Sequence, residues 1–276
     1  MFTASSSWPS SVVDSLDLKV HRTADGADVA YRLRGGKEPW VLLHGLGCDA
    51  TLWDGVVVAL PGEVGLLIPE LRGHGDSTLG WRQPEVGLWA RDVAEIIESE
   101  SLERPAIAGL SMGGYTALAM AAVLPETARA WAFISTQAGP DDEAGRGRRA
   151  EGLATLCRRG WKSYAASIMT LLLSEENADY PRHRARLMKM FARAGEAGLA
   201  AALVALANRP DRRPSLPRLQ SPSVVVVGDA DLLAPPEKAR EIVEAVPGSN
   251  LVLLPGVAHM SVLEAPAEVA RALDGL

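Results

Sequence analysis

The 276-residue chain predicts an α/β protein with a mostly parallel central sheet, helices on both faces and one helical insertion. Three observations carry that prediction. Six short apolar runs lack polar alternation, as strands buried on both faces do. Segments with apolar residues at spacings of three and four lie between them. The alternation then stops between residues 137 and 215, where helix-like segments succeed one another with no convincing strand.

In chain order, a Ser-rich stretch over residues 1–16 reads as a loose or weakly docked tail. "LKVHRTADGADVAYRLRG" predicts two strands around a turn at Asp25-Gly26. The apolar runs are Trp40–Gly45, Gly65–Glu70, Ala106–Ser111, Ala130–Thr136, Ser223–Asp229 and Asn250–Gly256. The helical segments include "EVGLWARDVAEIIESE", the Ala-rich "GGYTALAMAAVLP", "PPEKAREIVEAVPG" with prolines suited to a first turn, and the closing "APAEVARALDGL". The insertion predicts four helical pieces: "GRRAEGLATLCRRG", "WKSYAASIMTLLLSEE", "RHRARLMKMFARAG" and "EAGLAAALVALANRP". A proline-punctuated linker, "RPDRRPSLPRLQSP", leads back to the sheet.

Hydrophobic residues make up 47% of the chain and charged residues 22%, enough apolar material for a sizeable core. The formal charge of -6 argues against a nucleic-acid binder, which usually carries a basic surface. No basic-then-apolar leader opens the chain, and no apolar run approaches the ~18 residues that a membrane helix needs. A cytoplasmic protein acting without a membrane is the expectation. Cys48 and Cys157 form no CxxC or Cys/His cluster, so two buried or half-buried free thiols are expected, and no motif calls for a metal or an organic cofactor. The insertion carries 14 Lys and Arg against 9 Asp and Glu, opposite in sign to the rest of the chain. That balance hints at an acidic substrate, although solvated arginines on helix faces explain it more simply.

Gly109-Leu110-Ser111-Met112-Gly113 is a G-x-S-x-G stretch between a predicted strand and a predicted helix, the context in which a serine is lifted clear of a sheet. A hydroxyl is a poor nucleophile without a base in hydrogen-bond reach. Of the five histidines, His21 and His183 read as surface residues, and His44 and His74 as loop supports. His259, in the loop after the last apolar run, stands where the order nucleophile, acid, base requires it. "VVVVGDADLLAPP" offers two acids, Asp231, which is favoured, and Asp229. An oxyanion site needs backbone N–H groups; Met112, after the serine, and Leu46, in "HGLG", are the candidates.

"LLHGLG", "ELRGHGDS", "GLSMGG", "VVVVGDADLLAPP" and "LPGVAHMSVLEAP", in that order, resemble the α/β-hydrolase superfamily. The resemblance implies an α/β-hydrolase fold, with residues 1–136 and 216–276 as core and 137–215 as a helical cap. It implies Ser111 as nucleophile, Asp231 as acid, His259 as base, and Leu46 and Met112 as oxyanion donors. Glu70 departs from the pattern, which usually has Asp before "xRGHG". Serine at the elbow argues against dehalogenase and epoxide-hydrolase relatives, and "GLSMGGY" with "ANRPD" is similar to capped esterases and lactonases of the 3-oxoadipate enol-lactonase type.

The expected activity is hydrolysis of a small carboxylic ester or lactone through an acyl-enzyme on Ser111. Hydrolytic C–C cleavage, acyl transfer and a slow-turnover ligand sensor are the alternatives. Trp53, Trp131, Leu232 and Met260 are candidate substrate contacts. Met169, Leu171, Leu172, Met188, Met190 and Phe191 either line an apolar pocket or, more simply, pack the helices. The expected partner is a small-molecule substrate, and the protein is expected to be a monomer or homodimer.

Overall fold

A computed structural model describes residues 11–276. Residues 1–10 of the predicted tail lie outside the described residues. The next stretch of the chain is docked rather than loose: the Ser11 hydroxyl and the Val13 N–H both donate to Asp54 Oδ1, and Val13 is buried.

Eight strands form one sheet. They are β1 (Asp17–Arg22), β2 (Asp28–Arg34), β3 (Lys37–Leu43), β4 (Val64–Pro69), β5 (Ala106–Leu110), β6 (Trp131–Ile134), β7 (Ser223–Gly228) and β8 (Asn250–Leu254). Their spatial order is β1-β2-β4-β3-β5-β6-β7-β8. β1 and β2 are an antiparallel hairpin added to β4, and every later pairing is parallel.

The central strands are apolar without alternation because each of their faces meets a helical layer. On β3, Trp40 and Leu42 enter one core while Val41 and Leu43 enter the other; on β7, Val224 and Val226 oppose Val225 and Val227. Helices α1 (Asp54–Ala59) and α8 (Pro266–Asp274) cover the first face, and α2 (Val86–Ser99), α3 (Met112–Val123) and α6 (Pro236–Ala245) the second. A short α7 (Ser261–Glu264) precedes α8.

Between β6 and β7 stand two long helices, α4 (Glu143–Leu172) and α5 (Tyr180–Ala207), packed against each other. Each is broken at a glycine: Gly160 has φ +75 and Gly195 has φ +60, backbone that side-chain-bearing residues rarely adopt. The two helices are therefore four straight pieces, broken where the sequence segments end. Cys157 on α4 is exposed, against the expectation, whereas Cys48 is fully buried.

By length and composition α5 could cross a membrane, since an 18-residue window has mean hydropathy 1.4, but half of that window is buried inside the fold. The apolar stretch does not stand out in the sequence because the polar Tyr180–Arg193 half masks it. Two of its arginines reach across to core carboxylates: Arg186 pairs with Asp54, and Arg193 with Asp49 and Asp76. Part of the insertion's positive balance thus docks it onto the acidic remainder of the chain.

Candidate active site

Parallel strands put successive loops at one end of the sheet, and a ligand crevice forms where the strand order reverses. Here the reversal lies between β3 and β5, which are hydrogen-bonded neighbours paired Leu43 to Gly109. The loops carrying Leu46 and Ser111 therefore leave the sheet side by side.

Ser111 occupies the sharp turn from β5 into α3 with φ +51 and ψ -109, a strained conformation for a serine. Its N–H donates to Ile134 O, and its carbonyl accepts from Tyr115 N and Thr136 Oγ1. The flanking glycines are needed for close approach. A Cβ on Gly113 would strike the Leu43 carbonyl, one on Gly109 would strike the Gly113 carbonyl, and one on Gly114 would sit 2.6 Å from the Thr136 side chain.

His259 Nε2 lies 2.8 Å from Ser111 Oγ, and its Nδ1 lies 2.9 Å from both carboxylate oxygens of Asp231. With Nδ1–H donated to Asp231, Nε2 is left to accept the serine proton. Asp231 is fully buried, and its Oδ1 also accepts from Leu233 N and Ala234 N, each at 2.9 Å. Asp229, the other sequence candidate, accepts from Gly256 N instead and shapes the β7 loop.

The His259 loop is held from two sides. Glu264 accepts from Ala258 N and from Ser174 N, each at 2.7 Å, and Met260 N donates to Leu172 O. The end of α4 is thereby tied to the His259 loop. Nothing in the sequence marks Glu264, since both of its partners are backbone groups, one of them 90 residues away.

Leu46 lies in a turn in which Cys48 N donates to Gly45 O and Gly47 has φ +71. Among the described residues, neither Leu46 N–H nor Met112 N–H donates to a protein acceptor. Met112 opens α3, so its N–H also stands at the positive end of that helix dipole.

Ser111, His259 and Leu46 border a cavity of about 300 Å³ between the sheet end and the helical pair. Leu171, Leu172, Leu203, Leu206, Leu233 and Met260 give it apolar walls, and Gln137, Asp141, Arg148, Arg149 and Glu151 a polar rim. Asp141 is bound by Arg149 and by the buried Arg209. Among the described residues no group of three His, Cys, Asp or Glu side chains is placed to hold a metal ion.

Residues 40–272 match the model of the alpha/beta hydrolase family. The chain belongs to this family. It is 27% identical over 223 residues to the pimeloyl-[acyl-carrier protein] methyl ester esterase of Neisseria meningitidis, covering 79% of this chain and 70% of that one. A thermophilic esterase from Thermogutta terrifontis superposes with a TM-score of 0.87 at 28% identity, covering 94% and 97% of the two chains. The enol-lactonase of Burkholderia xenovorans LB400 superposes with a TM-score of 0.84 at 26% identity, covering 93% and 98%. An uncharacterized Mycobacterium tuberculosis protein, 31% identical over 105 residues, is matched over 38% of this chain and about a third of its own length.

Three of the candidate substrate contacts lie elsewhere in the hydrolase. Trp53 is fully buried in the layer with α1, at the end of a 3-10 turn. Trp131 opens β6 at the end of the strand remote from the site, and stacks at 6.3 Å on Phe133 in the opposite core. Leu232 is 71% exposed, because the turn that delivers two N–H groups to Asp231 faces it to solvent; Leu233 takes the cavity position. Met260 does line the cavity. Of the six apolar insertion residues, Leu171 and Leu172 line it, while Met169, Met190 and Phe191 are buried packing and Met188 packs beside them.

His44 and His74 act as buried supports: Leu71 N donates to His44 Nε2, and the two rings lie 5.2 Å apart. Burial pushes them down, His44 to about 3 and His74 to about 4, so both stay neutral in the fold. Protonation then favours the unfolded chain, and stability is lost as pH falls below about 6.5. His183, lowered mainly by burial, acts in the same direction. Glu70, pushed up by burial to about 7, and Asp92 and Glu264, both raised by burial, act oppositely, binding a proton in the fold before the unfolded chain does. Of the large displacements, those of His44 and His74 outweigh the opposing one of Glu70. Urea midpoints are therefore expected to fall between pH 6 and 4.5, as the unfolding free energy drops by at most about 1.4 kcal/mol per pH unit for each net proton. A flat or rising midpoint over that interval contradicts the balance.

Proposed function

We propose that this hydrolase cleaves a small carboxylic ester or lactone through an acyl-enzyme on Ser111. One observation carries the reading: the Ser111–His259–Asp231 chain of hydrogen bonds opens onto the cavity beside two unpaired N–H groups. The activities of the relatives, methyl ester esterase, esterase and enol-lactonase, support it.

In this mechanism Ser111 Oγ attacks the carbonyl carbon while His259 Nε2 takes its proton. The carbonyl oxygen, now negative, accepts from Leu46 N–H and Met112 N–H. His259 returns the proton to the leaving alkoxide, which departs from an ester but stays attached to the acyl chain of a lactone. Water, deprotonated by the same imidazole, then releases the acid. Asp231 holds the ring in the required tautomer and stabilises its charged form. Residues 137–215 act as a cap over the core formed by 1–136 and 216–276. The cavity is at the small end of the ~300–1,000 Å³ range of ligand sites, which favours a small substrate.

The test is a panel of p-nitrophenyl esters, lactones and diketones, run beside a fluorophosphonate label. Turnover of esters or lactones with the label on Ser111 is the expected result. Turnover of diketones alone makes the protein a C–C hydrolase. A single stoichiometric burst points to a sensor, and label on another residue overturns the reading.

A further inference from the structure

We propose that Phe191 and Arg193 of α5 position the Gly45–Asp49 loop, and through it Leu46 N–H. The helical insertion is then part of the oxyanion site as well as its cover. This inference rests on Leu46 N–H being an oxyanion donor.

From below, the loop is held by His44 Nδ1 at 2.8 Å from Gly45 O and by the buried Cys48 thiol, which donates to Leu46 O at 3.6 Å. Its turn has one internal backbone hydrogen bond, Cys48 N to Gly45 O at 3.1 Å, and its third position is Gly47. Glycine suits φ +71, but that conformation is soft in glycine and needs an external constraint. The Phe191 ring supplies it. A Cβ on Gly47 would lie 2.5 Å from Phe191 Cζ and 2.6 Å from Cε1, so the ring rests on the backbone of the residue after Leu46. Phe191 itself is fully buried and leans on Tyr164 of α4, which makes it a rigid prop.

Arg193 fixes the far end of the same loop. Its Nη1 lies 2.6 Å from Asp49 Oδ2 and 3.4 Å from Glu70 Oε1, and its Nη2 lies 2.9 Å from Asp76 Oδ1. Asp49 is buried and accepts from Thr51 N at 3.0 Å with its other oxygen, so its side chain has one available position. Glu70 accepts from Ala50 N at 3.4 Å and Asp76 N at 2.6 Å, which joins the end of β4 to the residue after Asp49. It is a methylene longer than the Asp that the family pattern leads one to expect, and that length suits a carboxylate spanning these groups. One guanidinium thus gathers three carboxylates around the loop that carries the oxyanion donor.

The experiment measures kcat and KM for a p-nitrophenyl ester in Arg193→Met, Arg193→Lys and Phe191→Leu, with Arg186→Met as control. Arg186 anchors α5 to Asp54 and the Thr51 carbonyl, beyond the loop, and so reports general docking of the helix. Arg193→Met and Phe191→Leu should each lower kcat about tenfold with KM nearly unchanged, a fraction of the 10²–10³ that outright loss of a donor costs. Arg193→Lys should recover most of the rate, and Arg186→Met should keep it. Full kcat in both Arg193→Met and Phe191→Leu, a change confined to KM, or an equal loss in Arg186→Met overturns the inference. If one of the two variants fails to fold, the other decides. Ser111→Ala in the same assay separates the two readings, because activity surviving there removes the role of Ser111 and not the positioning of the loop.

Discussion

Replacing Ser111 by alanine is expected to lower kcat for any ester the hydrolase turns over by about 10⁶-fold, the scale seen when a triad nucleophile is removed. The fold should survive, because the Ser111 hydroxyl bonds only His259 Nε2, while its backbone carries the structural bonds to Ile134, Tyr115 and Thr136. Alanine at φ +51 is strained, but no more than the serine already there. The measurement pairs steady-state kinetics with a thermal melt. Full activity in a folded variant rules out the acyl-enzyme mechanism.

Asp231→Asn should cost about 10⁴-fold in kcat, while Asp229→Asn should cost only a few-fold. The geometry explains the difference. Oδ1 of Asp231 accepts from Leu233 N and Ala234 N, so an asparagine must place its oxygen there and turn its NH₂ toward His259. A donor facing Nδ1 forces that nitrogen to accept, which puts the ring proton on Nε2 and leaves the Ser111 hydroxyl without a base. Asp229 faces Gly256 N and never meets the ring. An Asp229→Asn loss equal to that of Asp231→Asn would reassign the acid.

Much of this was legible in the sequence, and the reason is local chemistry. Apolar runs without alternation mark strands of the sheet, and those of β3 to β8 fall where the structure has them, although β8 is an edge strand with Leu253 exposed. The glycines at 160 and 195 end sequence segments and also break the helices. Serine, acid and histidine come in an order that one fold enforces, and the structure brings Ser111, Asp231 and His259 into contact.

Other features depend on contacts that sequence spacing does not encode. Trp53 and Trp131 lie near site loops along the chain, yet strand direction and a 3-10 turn send both into the core. Leu232 and Leu233 have the same composition signal, and only the turn around Asp231 separates the exposed one from the cavity wall. Phe191 against Gly47 and Glu264 against Ser174 join positions 144 and 90 residues apart, with no motif at either end.

The tie between Leu172 O and Met260 N, reinforced by Glu264, bears on how such an enzyme can be remodelled. A helical insertion above a pocket invites treatment as an exchangeable module, to be transplanted so as to change what enters the pocket. Here the graft boundary runs through the support of His259. A transplanted segment must bring its own backbone carbonyl to residue 260 and its own N–H to residue 264. Without them the recipient inherits a new pocket and a histidine that no longer points at its serine.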